Sequence, residues 1–201
     1  MQQQHNEEAL LWTQFKNGDR DAFALLYRKH ILSLIAYGTR LCPDRHSLKD
    51  QIQELFVELW NSRENLSHTD AVKFYLFRAL RYKLVRQAKS RHHHGTAEGV
   101  NAWLNEPRQE SSIETSIIEK EIQSSYAALL KDAISHLTTR QQEIIQLRFY
   151  QGFSHEQIAE LLNINHQSVS NLLYRALCSL KEKISIPTFS IAPFLALLAS
   201  L

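Results

Sequence analysis

His155 to Tyr174, HEQIAELLNINHQSVSNLLY, is the stretch of this 201-residue chain whose spacing restricts the fold most. Two short helices that cross steeply need a small residue where their backbones approach, and Ala159 stands mid-way along the first. They also need apolar side chains on the shared face, which Ile158, Leu162, Ile164, Val169 and Leu172 supply. The turn between them needs a residue tolerant of positive φ, and Asn163 is the best choice after glycine. Together these offsets are the layout of a helix-turn-helix. Its second helix presents His166, Gln167, Ser168, Ser170, Asn171, Tyr174 and Arg175 outward, with no carboxylate among them. Such a helix lies in the major groove of duplex DNA. Gln and Asn match adenine edges there, and Arg175 matches guanine or phosphate. A single arginine neutralises few phosphates, so this module alone is expected to bind duplex weakly.

The flanking sequence is punctuated as helices. Thr138 to Gln141 reads as a capping box that opens the preceding helix, which Gly152 stops, and Ser154 to Gln157 repeats the box. Before these, a long helix is expected from Ile113 to Leu137. In the N-terminal half, residues 7–38 read as two helices around Asn17-Gly18-Asp19, with Asp19 or Asp21 as the second cap. A third helix, Ser47 to Arg63, carries the apolar stripe Leu48, Ile52, Leu55, Phe56, Leu59 and Trp60. A fourth runs from Thr69 or Asp70 to Ser90. The fold class is therefore all-α, with two small helical domains at residues 7–91 and 113–185. They are joined by a flexible linker, 92–112, and followed by an apolar tail, 186–201. Five glycines and four prolines are few for the length, as helices on short connections require.

Charge separates the same segments. Lys and Arg number 23 against 21 Asp and Glu, a formal charge of only +2. Residues 1–95 are net +5, residues 96–120 net −3, and residues 121–201 neutral. The excess concentrates in residues 71–95, where Lys73, Arg78, Arg81, Lys83, Arg86, Lys89 and Arg91 meet no acid in the local sequence. Phe74, Tyr75, Phe77 and Tyr82 are interleaved with them. Cations that track a backbone and aromatic faces that stack on bases are the ingredients of single-strand recognition. Phe77 and Leu80 are expected in the core, and Tyr75 and Tyr82 at nucleic acid.

Three segments resemble the extracytoplasmic-function class of bacterial sigma factors. Asp50-Gln51-Ile52-Gln53-Glu54-Leu55-Phe56-Val57-Glu58-Leu59-Trp60 is similar to the family's D-L-V-Q-E-x-F-x-x-L-W signature. The basic-aromatic helix after it resembles the promoter-melting segment. Leu137 through Leu180 resembles the C-terminal helix-turn-helix, carrying Arg140-Gln141, Leu147-Arg148-Phe149, Ile158-Ala159, Ser168-Val169 and Arg175-Ala176.

The resemblance implies a non-catalytic factor that binds core RNA polymerase and directs promoter-specific initiation in the cytoplasm. Core polymerase would dock on Asp50, Gln53, Phe56 and Trp60. The melted minus-10 strand, with one base flipped out, would meet Lys73, Tyr75, Arg78, Arg81, Tyr82, Lys83, Arg86, Lys89 and Arg91. The minus-35 duplex would meet His166, Gln167, Ser168, Ser170, Asn171, Tyr174 and Arg175. The acidic linker would thread the polymerase's RNA channel, and an anti-sigma protein, membrane-bound in many members, would sequester the factor. The chain departs from the family at Tyr82 and Arg86, where Asn and Asp are frequent, and at Ser170 and Leu172, where basic residues are frequent. Base preferences are therefore not carried over.

Other signals are weaker. Adjacent side chains seldom converge on one ion, so His92-His93-His94 reads as an addition to the basic patch. No cofactor or metal is expected. Cys42 and Cys178 fit apolar helical patterns as small core residues. The tail from Ile186 to Leu201 is too short to span a bilayer, and is expected to dock on the protein's own domains or in a partner's groove. The competing reading is a stand-alone dimeric helix-turn-helix regulator, which predicts a dimer seam and symmetric half-sites. A metal-dependent nucleic-acid enzyme built on the histidine run is a further rival.

Overall fold

A computed structural model describes the backbone of residues 2–92 and 129–184, with side chains for 7–89 and 129–184. Among these residues all regular structure is helical. The linker 92–112, the expected helix start at Ile113 and the tail 186–201 lie outside the described residues, apart from the helix end at His92.

The N-terminal half begins with α1, Gln2–Lys16, and α2, Arg20–Leu41. Gly18, at φ 91°, reverses the chain between them. Asp19 is the cap, its carboxylate accepting from the backbone N–H groups of Asp21 and Ala22. Helix α3, Arg45–Ser62, starts two residues earlier than expected because Asp44 caps it, accepting from the His46 N–H. A short 3-10 turn, Arg63–Asn65, precedes α4, Val72–His92, which starts two to three residues later than expected; the Thr69 hydroxyl accepts from the Ala71 N–H just before it. Trp12, Phe15, Leu34, Tyr37, Leu48, Ile52, Leu76, Phe77 and Leu80 fill the centre. The Trp12 indole donates to the Ser67 carbonyl at 3.1 Å, tying α1 to the loop before α4. At Gly38 a Cβ would run into the Leu48 side chain, so α2 and α3 depend on glycine for their close approach.

The C-terminal half comprises α5, of which residues 129–135 are described, then α6, Thr139–Ile145, α7, His155–Leu162, and α8, His166–Lys183. Both expected capping boxes form, at Thr138/Gln141 and Ser154/Gln157. Asn163 takes the left-handed conformation at φ 52°. Helix α6 runs on into a five-residue π turn, Gln146–Tyr150, which the periodicity did not foretell. Gly152 ends it at φ 72°. Within the helix-turn-helix, Ile158, Leu162, Val169 and Leu173 are buried. Leu173 therefore takes the inner position expected of Leu172, which is only half-buried.

The halves pack directly on each other, α2 against α6 and α4 against α7. Phe153 inserts between Phe74 and Phe77, edge-on to each, with ring centroids 5.7 and 5.2 Å away. Its seat joins the two apolar clusters into one core.

Candidate nucleic-acid interface

Helix α8 presents the expected reading face. His166, Gln167, Asn171, Tyr174 and Arg175 are exposed, and Ser168 and Ser170 partly so. Asn165 caps the helix, its side chain accepting from the Ser168 N–H at 2.7 Å. The amides of Gln167 and Asn171, one turn apart, share a hydrogen bond of 3.4 Å that orients them together. Arg140 braces the motif from behind by donating to the Leu162 carbonyl at the C-terminal end of α7. The face itself contains no acid, but α7 contributes one. Glu156 Oε1 lies 3.3 Å from His166 Nε2, and the His155 and His166 rings meet edge-on at 5.2 Å. Burial, followed by Arg148 and His166, lowers the pKa of His155 against the opposing pull of Glu156.

Helix α4 is arranged differently. Its seven cations lack acids in local sequence, yet the structure supplies partners to four of them. Lys73 Nζ donates to the Gln151 carbonyl at 2.8 Å, Arg78 pairs with Glu160, and Arg81 Nε donates to Glu143 Oε1 at 3.1 Å. Lys83 reaches Glu58 at 2.7 Å and Glu54 at 3.3 Å. The picture of uncompensated charge is corrected here: distant helices bring in acids that a window along the chain does not contain. Arg81 is also largely enclosed, its side chain only 14% exposed. Burial opposes its charge, but Glu143 and Tyr37 outweigh that and raise its pKa. Tyr82, Arg86 and Lys89 stand exposed on another face, and the Arg91 side chain lies outside the described ones. Tyr75 is half-buried, edge-on to Trp12 at 5.2 Å. With Tyr82 and Lys83 it borders a recess of about 160 Å³ between α3 and α4.

Glu143 is the residue that sequence reasoning missed. Its carboxylate is wholly buried and receives three donors, the Tyr37 hydroxyl at 2.8 Å, Arg81 at 3.1 Å and Arg140 at 3.1 Å. Burial first, and the adjacent carboxylate second, push the Tyr37 phenol well above its ordinary value.

On the α2–α3 side, an apolar groove of about 450 Å³ is lined by Phe23, Tyr27, Phe56 and Trp60, with Arg20 and Gln53 at its polar edge. Three of the four residues expected to dock core polymerase line it, and Asp50 is exposed one turn before Gln53 on α3. Phe56 forms a wall and does not project, since it is 5% exposed and packs on Tyr27 and Phe23 at 4.8 and 6.0 Å. Trp60 is half-buried under the Arg63 guanidinium, 4.8 Å above its ring. Phe23 and Tyr27, which recur at helical spacing along α2, are not among the residues expected at this surface.

Comparison with known proteins gives the architecture a family. Residues 26–93 match the family model "Sigma-70 region 2", and residues 127–180 match "Sigma-70, region 4". The sigma factor SigL of Mycobacterium tuberculosis is 26% identical over 78% of this chain and 85% of its own. SigX of Bacillus subtilis is 22% identical over 83% of this chain and 85% of its own. Among solved structures, CnrH in complex with the cytosolic domain of CnrY matches with a TM-score of 0.56 at 19% identity, covering 87% of this chain and 95% of that one. RpoE of Bartonella quintana, in complex with the anti-sigma factor NepR, gives 0.53 at 21%, covering 80% and 97%. Both family models are matched in order, and together they cover more than half of the residues. The chain thus belongs to the extracytoplasmic-function class of sigma-70 family RNA polymerase sigma factors.

Proposed function

We infer that this chain is a non-catalytic sigma factor that binds core RNA polymerase and directs promoter-specific initiation. The observation that carries this reading is the presence of region 2 and region 4, in that order, in one chain. The domains are taken as residues 7–91 and 113–185. The α2–α3 groove and its flanking Asp50 form the docking surface for core polymerase. An apolar, partly enclosed groove with a polar rim is the kind of surface on which a few aromatic anchors dominate binding. The exposed face of α4 holds the melted minus-10 strand, and the recess beside Tyr75 and Tyr82 receives a flipped base. The outward face of α8 reads the minus-35 duplex. An anti-sigma protein regulates the factor, a reading supported by the similar fold of RpoE, which was solved in complex with the anti-sigma factor NepR. Among the described residues no helix is long and apolar enough to cross a membrane. The cytoplasm, where polymerase and promoters meet, is its place of action.

Run-off transcription with purified core polymerase on a promoter library tests this reading. Specific transcripts dependent on the chain are expected, with loss of yield in Gln53→Ala and Trp60→Ala. No transcript from any template, with folded protein, defeats it. So does a dimer that binds symmetric half-sites without polymerase.

A further inference from the structure

The outward face of α8 holds no acid of its own, yet the fold brings one to its edge. In a helix-turn-helix the first helix crosses the phosphate backbone, and the N-terminal residues of the second meet the base edges. Glu156, in the first turn of α7, and His166, the first residue of α8, stand at this junction, with Glu156 Oε1 3.3 Å from His166 Nε2. Both side chains are more than half exposed, so the pair adds little to stability and stays open to a ligand. Hydrogen bonds, first from Ser154 and then from its own backbone, lower the pKa of Glu156, so its negative charge persists at neutral and mildly acidic pH alike.

The neighbouring charges do not cancel it. His155 meets the His166 ring edge-on at 5.2 Å, and its Nε2 is enclosed without a hydrogen-bond partner. Burial lowers its pKa, so it stays neutral further into the acid range than a free histidine. From the π turn, Arg148 is directed to the Phe153 carbonyl at 3.1 Å. The α6 charges Arg140 and Glu143 pair with each other, and Glu160 of α7 pairs with Arg78. Along α8 the next charge, Arg175, is more than two turns away. The charge at this corner of the reading face is therefore set by the protonation of His166.

We propose that His166 makes duplex capture by α8 depend on pH: as imidazolium it offsets Glu156 and holds a backbone phosphate, and as neutral imidazole it leaves Glu156 to repel the strand. The inference rests on the reading of α8 as the minus-35 helix, and adds the condition under which that helix grips. Histidine changes charge between pH 5 and 8, where arginine does not. The imidazolium carries donors on both ring nitrogens, so Nε2 meets Glu156 while Nδ1 donates to a phosphate oxygen. The neutral ring has a single donor. When Nε2 carries it, Glu156 takes it, and only an acceptor is left toward the phosphates. Arg175 is the one permanent cation among the seven outward residues of α8, so one further charge is a large addition.

Fluorescence anisotropy of the full-length chain with a labelled mixed-sequence duplex, at low salt, tests this at about pH 5.5 and about pH 8, toward either end of the histidine range. Circular dichroism checks that each variant is folded at both values. The wild type is expected to bind about 10-fold more tightly at the acidic value, the worth of one charge-assisted hydrogen bond. His166→Gln keeps a polar side chain but cannot titrate, and is expected to lose that gain. His166→Arg is permanently charged, and is expected to bind at the alkaline value as tightly as the wild type does at the acidic one. Glu156→Gln removes the repelling charge and is expected to bind more tightly than the wild type at the alkaline value. A gain that survives in His166→Gln overturns the proposal, since other groups then supply it. So does His166→Arg binding no tighter than the wild type at the alkaline value, and so does unchanged affinity there in Glu156→Gln. Run-off transcription by the wild type is scored separately. Its absence defeats the sigma-factor reading, whereas specific transcription together with a gain that survives in His166→Gln defeats only the pH inference.

Discussion

Helices α4 and α8 are the two elements assigned to DNA, and they present their chemistry in opposite ways. Helix α8 carries few charges and offers them outward, on a platform built by α7, the Asn163 turn and the nearby α6. Helix α4 is dense in cations, but one stripe is consumed by contacts with residues 62 to 82 positions away. A local motif can be read from local sequence because its partners are local too. A charged helix cannot, because whether its charge is available depends on what the rest of the fold sets against it.

The contrast is tested most severely at Glu143. Alanine there leaves Arg81 and Arg140 buried without a counter-charge, and urea melts of the full chain should show a loss of about 3–5 kcal/mol. Glutamine at Glu160, in the exposed pair with Arg78, should change stability by no more than about 1 kcal/mol. Equal effects at the two sites would erase the distinction between a structural and a peripheral ion pair. On the other side of the comparison, Leu173→Ala should lower stability by about 2–5 kcal/mol, and the half-buried Leu172 should tolerate the same change with a smaller loss. Denaturation followed by tyrosine fluorescence or circular dichroism measures both. The reverse order would return Leu172 to the inner position that the sequence spacing assigns it. Next in size, Arg175→Ala should weaken discrimination at minus-35 by about 1–3 kcal/mol if the side chain reads a base. A loss that is uniform over all sequences identifies a phosphate contact instead, and competition binding with matched and mismatched duplexes separates the two.

The smallest effect is one of pH. His155, at the start of α7, has a lowered pKa in the folded chain, so the unfolded chain binds its proton first as pH falls. Stability therefore carries no contribution from this residue well above the ordinary histidine value of about 6.5. It declines as pH drops through that value, until the depressed folded pKa is reached. Thermal melts between neutral and mildly acidic pH should show this slope flattened in His155→Gln. An unchanged slope removes His155 as its source.

The elements that were legible share a physical basis. The Thr138 and Ser154 boxes, the Asn163 turn and the Gly18 reversal are decided by residues within four positions of one another. The starts of α3 and α4 were displaced by two or three residues because several polar residues, among them Asp44, Ser47, Thr69 and Asp70, offer similar capping chemistry close together. The π turn at Gln146–Tyr150 follows an apolar pattern that an α-helix accommodates equally well. Within the candidate site, the α8 face was legible as a set, and the Asp50–Trp60 helix was legible without the orientation of Phe56. The enclosure of Arg81, the role of Glu143 and the contribution of Phe23 and Tyr27 to the groove were not. Each depends on packing between segments that sequence spacing does not connect.

The order in which the contact between the two halves is made has a consequence during synthesis. Residues are added from the N-terminus, and domains fold as they emerge. Helix α4 is complete once His92 has left the ribosome, whereas Glu143, Phe153 and Glu160 are added later. During that interval Arg78 and Arg81 lack the carboxylates of Glu160 and Glu143 that pair with them in the folded chain. Elongation through α7 is the step that completes the supply of these partners.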